Sequence, residues 1–243
     1  MLPIDLKSAM TLAEEWRRGA RLMTGEGHEC GWRGLGRRPY HHGRLREALL
    51  AAARALISER GPAGFTLAEA AKRVGVTGAA PYRHFADRDA LMTALAQEGF
   101  EHFNAQLTQA WDGGKPDPVA ALRRRGEAYL TFARAEPGLY RAMFSDAGFL
   151  RRPTESGAAQ KAFDDLVRTT TEVLRFFHVP ENGAENLAVQ IWAMTHGVAD
   201  LLLGGHFGDQ TDRARQVLEE GAAALIEGAI RKALGVKGVL PGA

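Results

Sequence analysis

Residues 61–88, GPAGFTLAEAAKRVGVTGAAPYRHFADR, constrain this chain more than any other stretch, because their pattern leaves room only for two short helices joined by a tight turn. Gly61-Pro62 stops the helix that precedes them. Thr66 and Glu69 carry the Thr-x-x-Glu spacing of a capping box, in which each residue satisfies a backbone donor of the other, and this opens a second helix. Leu67, Ala70, Ala71 and Val74 then recur at i, i+3, i+4 and i+7, so that helix buries one side and leaves the other free. Gly75 suits the left-handed conformation that ends it, Val76 plugs a small core, and Thr77 is a natural N-cap for a third helix. That helix ends in Tyr82, Arg83 and His84, after which Phe85 closes the core and Asp87 caps a long fourth helix, about 88–111.

A preceding helix runs from about His42 to Arg60, with Leu45, Leu49, Ala52, Leu56 and Ile57 on one face. Three helices in this order form a helix-turn-helix module, which presents its last helix to the DNA major groove. Charge agrees. Residues 31–88 hold 11 Lys/Arg against 4 Asp/Glu, a net +7, whereas the remaining residues hold 20 against 25, a net −5. A basic module on an acidic body is expected where one part meets a polyanion and the other does not.

Within the module, Gly78, Ala79 and Ala80 lack bulk and allow close backbone approach to DNA, with Ala80 placed to meet a thymine methyl. Tyr82 and His84 are expected to donate to phosphate oxygens, which positions the module without reading sequence. Arg83 is expected to read a guanine edge, with a second phosphate contact as its alternative. Thr66 and the amides beside it, Thr77, Arg44 and Arg88 complete the expected DNA-facing set. Pro81 falls in the first turn of the third helix, where a missing backbone donor costs least. Arg33, Arg37 and Arg38 precede the module, either as a basic arm for DNA or as solvated charge.

Beyond Gly113-Gly114-Lys115-Pro116 the pattern stays helical, with helices expected at 118–135, 138–146, 157–178, 183–207 and 211–235 and breaks at Pro137, at 151–153 and at 180–183. No strand pattern appears, so the chain is expected to be all-α. The expected domains are a flexible extension over 1–38, the helix-turn-helix domain over 39–88, a helical ligand-binding and dimerisation domain over 89–235, and a tail over 236–243. Aromatic residues are dense in the larger domain. Tyr129, Phe132, Tyr140, Phe144, Phe163 and Phe177 are each either core or the wall of an apolar ligand pocket. Trp192 and His196 stand at i, i+4 on one helix face, either as a satisfied pair or as ligand contacts. The apolar faces of 186–203 (Leu187, Ile191, Met194, Val198, Leu201, Leu202) and 217–234 (Val217, Ala224, Leu225, Ala229, Leu234) suggest a two-fold four-helix interface.

Catalysis finds no footing. Gly-x-Ser-x-Gly, Gly-x-Gly-x-x-Gly and P-loop patterns are missing, and no histidine has Glu three positions before it, so no catalytic residue, metal site or cofactor is expected. His28, Cys30, His41 and His42 match no standard metal spacing. A lone cysteine, the lack of a secretory pattern at the N-terminus and the lack of a membrane-length apolar run lead to the expectation of a cytoplasmic protein.

The stretch from Tyr40 to about Leu95 resembles the DNA-binding domain of the TetR family of bacterial transcriptional regulators, in LREALLAAARALISERG, FTLAEAAKRVGV and PYRHFADRDAL. Tyr82-Arg83-His84-Phe85 fits the aromatic-x-His-Phe ending of that family's recognition helix, while Pro81 stands where many members have Leu. Trp192, His196 and Gly197 are similar to a Trp-His-Gly signature in the C-terminal domain of one TetR subgroup. The resemblance implies a homodimer on a near-palindromic double-stranded operator, with a small-molecule effector held among the C-terminal helices. Repression relieved by a small, largely apolar ligand is the default expectation.

Overall fold

The computed structural model describes residues 44–145 and 157–236. The expected extension over 1–38, the Arg33–Arg38 arm, the His28, Cys30, His41 and His42 group, the break at 151–153 and the tail after 236 lie outside the described residues. Among those described there are eight α-helices and no strand, as the periodicity requires. They are α1 (Leu45–Arg60), α2 (Leu67–Val74), α3 (Arg88–Trp111), α4 (Pro118–Ala135), α5 (Pro137–Met143), α6 (Ala158–Phe176), α7 (Ala184–Leu203) and α8 (Thr211–Ala233). None is long and apolar enough to cross a membrane.

Packing divides the chain into two compact units. Of the described residues, the first unit takes 44–101, 136–145 and 157–159, and the second takes 102–135 and 160–236. In the first, α1 and α2 close over Leu49, Ala53, Leu56, Ile57, Phe65, Ala70, Ala71 and Phe85, all buried. The start of α2 is fastened as its sequence demands. Glu69 N–H donates to the Thr66 hydroxyl (3.2 Å), and Thr66 N–H donates to the Glu69 carboxylate (2.9 Å), so two orphan donors of the helix terminus are satisfied. Gly75 ends the helix at φ 81°, ψ 27°, a conformation that glycine adopts without the clash a Cβ would bring. Asp87 caps α3 by accepting from Ala90 N–H (2.7 Å).

The third helix of the module is shorter and tighter than the sequence suggests. Only a 3-10 segment, Ala80–Arg83, forms there, and its N-cap is Ala79 rather than Thr77. Proline is the cause. Pro81 has no N–H for the Thr77 carbonyl, so that carbonyl is taken by Ala80 N–H one residue earlier (3.0 Å), an i to i−3 bond. His84 and Phe85 N–H then share the Pro81 carbonyl at 2.9 and 3.0 Å.

Short α5 belongs to this unit rather than to the larger helical body. Pro137 begins it instead of merely breaking the chain, a position where the missing N–H costs nothing. Gly138 lies against the Arg54 backbone so closely that a Cβ there would overlap the carbonyl. Arg141 donates to the Ser58 carbonyl (2.7 Å) in the last turn of α1, placing a cation at the negative end of that helix.

In the second unit Trp111, Ala121, Leu122, Val173, Leu174, Phe177, Leu187, Ile191, Ile226 and Ile230 form one buried cluster. Helices α7 and α8 pack together, and α4 packs on both. Asp117 opens α4 by accepting from Val119 and Ala120 N–H at 2.9 and 2.8 Å. Helix α7 stops at Leu203 instead of 207, where Gly204-Gly205 follow. The faces expected to meet a second copy are partly used inside the unit: Leu187, Ile191 and Val198 are buried, and Met194 lies against Gly221. A 100° step per residue cannot tell a face turned to the chain's own core from one turned to a partner.

Candidate nucleic-acid interface

The edge that faces outward from the first unit is built by the turn after α2. Thr77, Gly78, Ala79, Tyr82, Arg83 and His84 are exposed and contiguous, while Pro81 and Phe85 are buried beneath them and hold the segment down. Ala80 is half-buried. Tyr82 is the telling residue. It is 60% exposed, although a tyrosine ring gains by burial, so its apolar body and hydroxyl are presented rather than stored. Arg44, at the N-cap of α1, is likewise exposed.

Three basic residues at this edge behave differently from one another. The Arg83 side chain is exposed, as a base-reading or phosphate-binding residue requires. Arg88 is turned inward. Its guanidinium donates to the Phe65 carbonyl (3.2 Å) and to the Pro62 carbonyl and sits 5.0 Å over the Phe65 ring. It therefore braces the loop leading into α2. Arg46, which sequence reasoning passed over, lies with its guanidinium 5.4 Å from the Phe85 ring centroid, at the foot of the Tyr82–His84 segment. Its signal was present in the Arg-x-Arg spacing of Arg44 and Arg46 at the start of α1.

Thr66 is also partly committed. Its hydroxyl donates to the Glu69 carboxylate (3.1 Å), and that carboxylate takes Arg60 as well (3.0 Å). Hydrogen bonds from the Thr66 backbone and hydroxyl, then Arg60, hold the Glu69 carboxyl below the usual carboxylate range. Any phosphate at this helix start competes with an internal carboxylate. Arg73 is engaged by Glu59 (2.9 Å), whose carboxyl is lowered chiefly by that bond, whereas Lys72 is exposed.

The aromatic residues split between the units. Tyr140 and Phe144 pack in the first, with rings 5.0 Å apart and Phe144 edge-on to Phe100 at 5.7 Å. Phe177 is in the main core of the second, packed with Phe176. Around α4 the remaining four are brought together with His196. Tyr129 and Phe132 flank Phe103 edge-on at 5.0 and 5.3 Å. The Tyr129 hydroxyl is hydrogen-bonded to His196 Nδ1 (3.1 Å), and His196 Nε2 lies 3.6 Å from Asp200. Trp192, one turn before His196, meets Phe163 at 5.9 Å. Phe132 is fully enclosed, whereas Phe163, Trp192 and His196 are half-buried. Among the described residues no group of three His, Cys, Asp or Glu is placed to hold a metal.

A basic helix-turn-helix with an exposed Tyr-Arg-His edge, followed by a helical body with its own core, defines a DNA-binding regulator of the bacterial type. Residues 49–95 match the family model described as bacterial regulatory proteins, tetR family, and residues 122–225 match that of a tetracyclin repressor-like C-terminal domain. The chain belongs to the TetR family of DNA-binding transcriptional regulators. Over 132 residues it is 30% identical to the nucleoid occlusion factor SlmA of Photobacterium profundum, covering 54% of this chain and 67% of that protein. A solved structure of a protein of unknown function from Rhodococcus sp. RHA1 is 30% identical with a TM-score of 0.65, covering 79% of this chain and 98% of that one. A TetR-like transcriptional regulator, also from Rhodococcus sp. RHA1, shares the fold at 23% identity and a TM-score of 0.55, covering 83% of this chain and 100% of that one.

Proposed function

We propose that this protein is a cytoplasmic, dimeric repressor that holds a near-palindromic operator and is released from it by a small, largely apolar ligand. The observation that carries the reading is the Tyr82-Arg83-His84 edge, exposed on a helix-turn-helix whose charge is strongly positive. Residues 39–88 take the DNA and 89–235 take the ligand and the second copy, although by packing α5 goes with the DNA-binding unit. Two such edges a helical turn apart would read two half-sites. Support for pairing comes from the solvent side of α7 and α8. Val189, Ala193, Gly197 and Leu201 recur every four residues on the exposed side of α7, and Val217, Ala224 and Gly228 are exposed on α8. Small apolar side chains in such a row let helices of two copies approach closely.

A mobility-shift assay on the intergenic DNA beside the gene tests the DNA half of this reading. Binding should fall steeply as salt rises from about 50 to 200 mM, because phosphate contacts release counterions. Retention of the DNA regardless of salt, or no binding at low salt, contradicts it. The likeness to nucleoid occlusion factors supports a second reading, in which the protein marks many chromosomal sites rather than one promoter. Genome-wide footprinting separates the two: one or a few intergenic sites support the repressor, and dispersed sites support the second reading.

A further inference from the structure

Arginine is rarely buried, because its long stem lets the guanidinium reach water from most positions. Arg125 departs from this. It sits in the middle of α4, is only 5% exposed, and no described residue accepts a hydrogen bond from it or pairs with it. The nearest opposite charge is Asp165 on α6, and the oxygens of Asp165 are taken by Lys161 (2.8 Å) and Arg168 (3.2 Å). Arg168, the other charge close by, is exposed and repels Arg125. Burial pulls the Arg125 guanidinium down to about 10, with Asp165 opposing that shift. An unpaired guanidinium in such a place loses several hydration bonds and regains none from the protein.

The surroundings say what would repay that loss. Tyr129 and Phe132 stand at i+4 and i+7 from Arg125 on the same face of α4, and beyond Tyr129 come His196 and then Trp192 with Phe163. A planar donor fork beside an aromatic wall suits a ligand with one flat anionic group and an apolar body. A single buried positive charge is neutralised by a monoanion, whereas a phosphate dianion would leave a buried negative excess.

We infer that Arg125 is the anion-binding point of the effector site, and that the effector is a monocarboxylate with an aromatic or aliphatic body. The inference rests on the ligand-controlled reading above and narrows the ligand class within it. Until the ligand enters, the empty guanidinium keeps the second unit less stable than an apolar residue would.

The test is thermal melting of the full-length protein, wild type, R125M and R125Q, with sodium benzoate, octanoate and decanoate, the matching alcohols, and inorganic phosphate as probes. Without additive, R125M should melt above wild type by about 2–6 °C, since an unpaired buried charge is removed. In wild type at least one carboxylate should raise the melting temperature where its alcohol and phosphate do not. Both variants should bind that carboxylate roughly tenfold or more weakly. R125M melting below wild type would show that Arg125 already has its partner and would overturn the inference. So would equal binding of carboxylates and alcohols, binding of phosphate alone, or no carboxylate binding at all. Carboxylates that bind through Arg125 without loosening the protein from the intergenic DNA would leave the anion point standing and remove ligand-controlled release.

Discussion

At the residue scale the DNA-facing edge divides into side chains that are presented and side chains that are spent on the protein itself. Tyr82 and Arg83 are presented. Tyr82→Phe is expected to weaken binding about equally on all sequences, by roughly fivefold for one lost phosphate hydrogen bond. Arg83→Ala should instead cost about 1–3 kcal/mol at one base position and relax the preference there. Competition binding against a panel of operator variants measures both, and a Tyr82→Phe effect confined to one base would refute its phosphate role. Glu69 is spent on the start of α2. Its folded-state carboxyl is lowered, so it stabilises above the ordinary carboxylate value of 4.5, and the contribution is lost as pH falls through the lowered value. The melting-temperature gap between wild type and Glu69→Gln should therefore be open at neutral pH and close in acid. A gap that widened below about pH 4 would contradict the sign. Arg88 resembles Arg83 in sequence but braces two loop carbonyls, so its replacement is expected to disturb the module rather than the contact alone.

Among elements, the helix-turn-helix shows how a single proline decides the form of a contact surface. With Pro81 in place the segment is a 3-10 turn, and Tyr82, Arg83 and His84 follow one another at about 120° rather than 100° per residue. The pairing of α5 with α1 depends on Gly138 equally sharply. Gly138→Ala sets a methyl against the Arg54 carbonyl, and forcing the helices apart should cost about 1–3 kcal/mol. Denaturant melts would register this as a lower midpoint at unchanged slope. An unchanged midpoint would mean that α5 shifts without cost, and Arg141 would then lose its hold on the Ser58 carbonyl.

For the whole molecule the decisive question is pairing, since one 3-10 edge reads too few bases to select a site alone. Ala193→Glu places a carboxylate in the middle of the exposed row Val189, Ala193, Gly197, Leu201. If that row is the dimer face, like charges meet across the two-fold axis, sedimentation shows monomers, and operator affinity falls by two or more orders of magnitude (~3 kcal/mol). A dimer that survives the substitution would move the interface elsewhere. Local chemistry was enough to locate nearly every helix, because apolar spacing, the Thr66–Glu69 box, the turn at Gly75 and the Asp87 cap act over four or fewer residues. The same local chemistry exposes the Tyr82–His84 edge, since nothing apolar in it asks for burial except Phe85. Tertiary packing alone decided which residues meet across long stretches of chain. It drew Tyr140 and Phe144 into the DNA-binding unit, brought Tyr129 to His196, and turned half of the α7 apolar face inward. It also enclosed Arg125, which no pattern of charges foretells, because burial of a cation depends on what other helices lay over it.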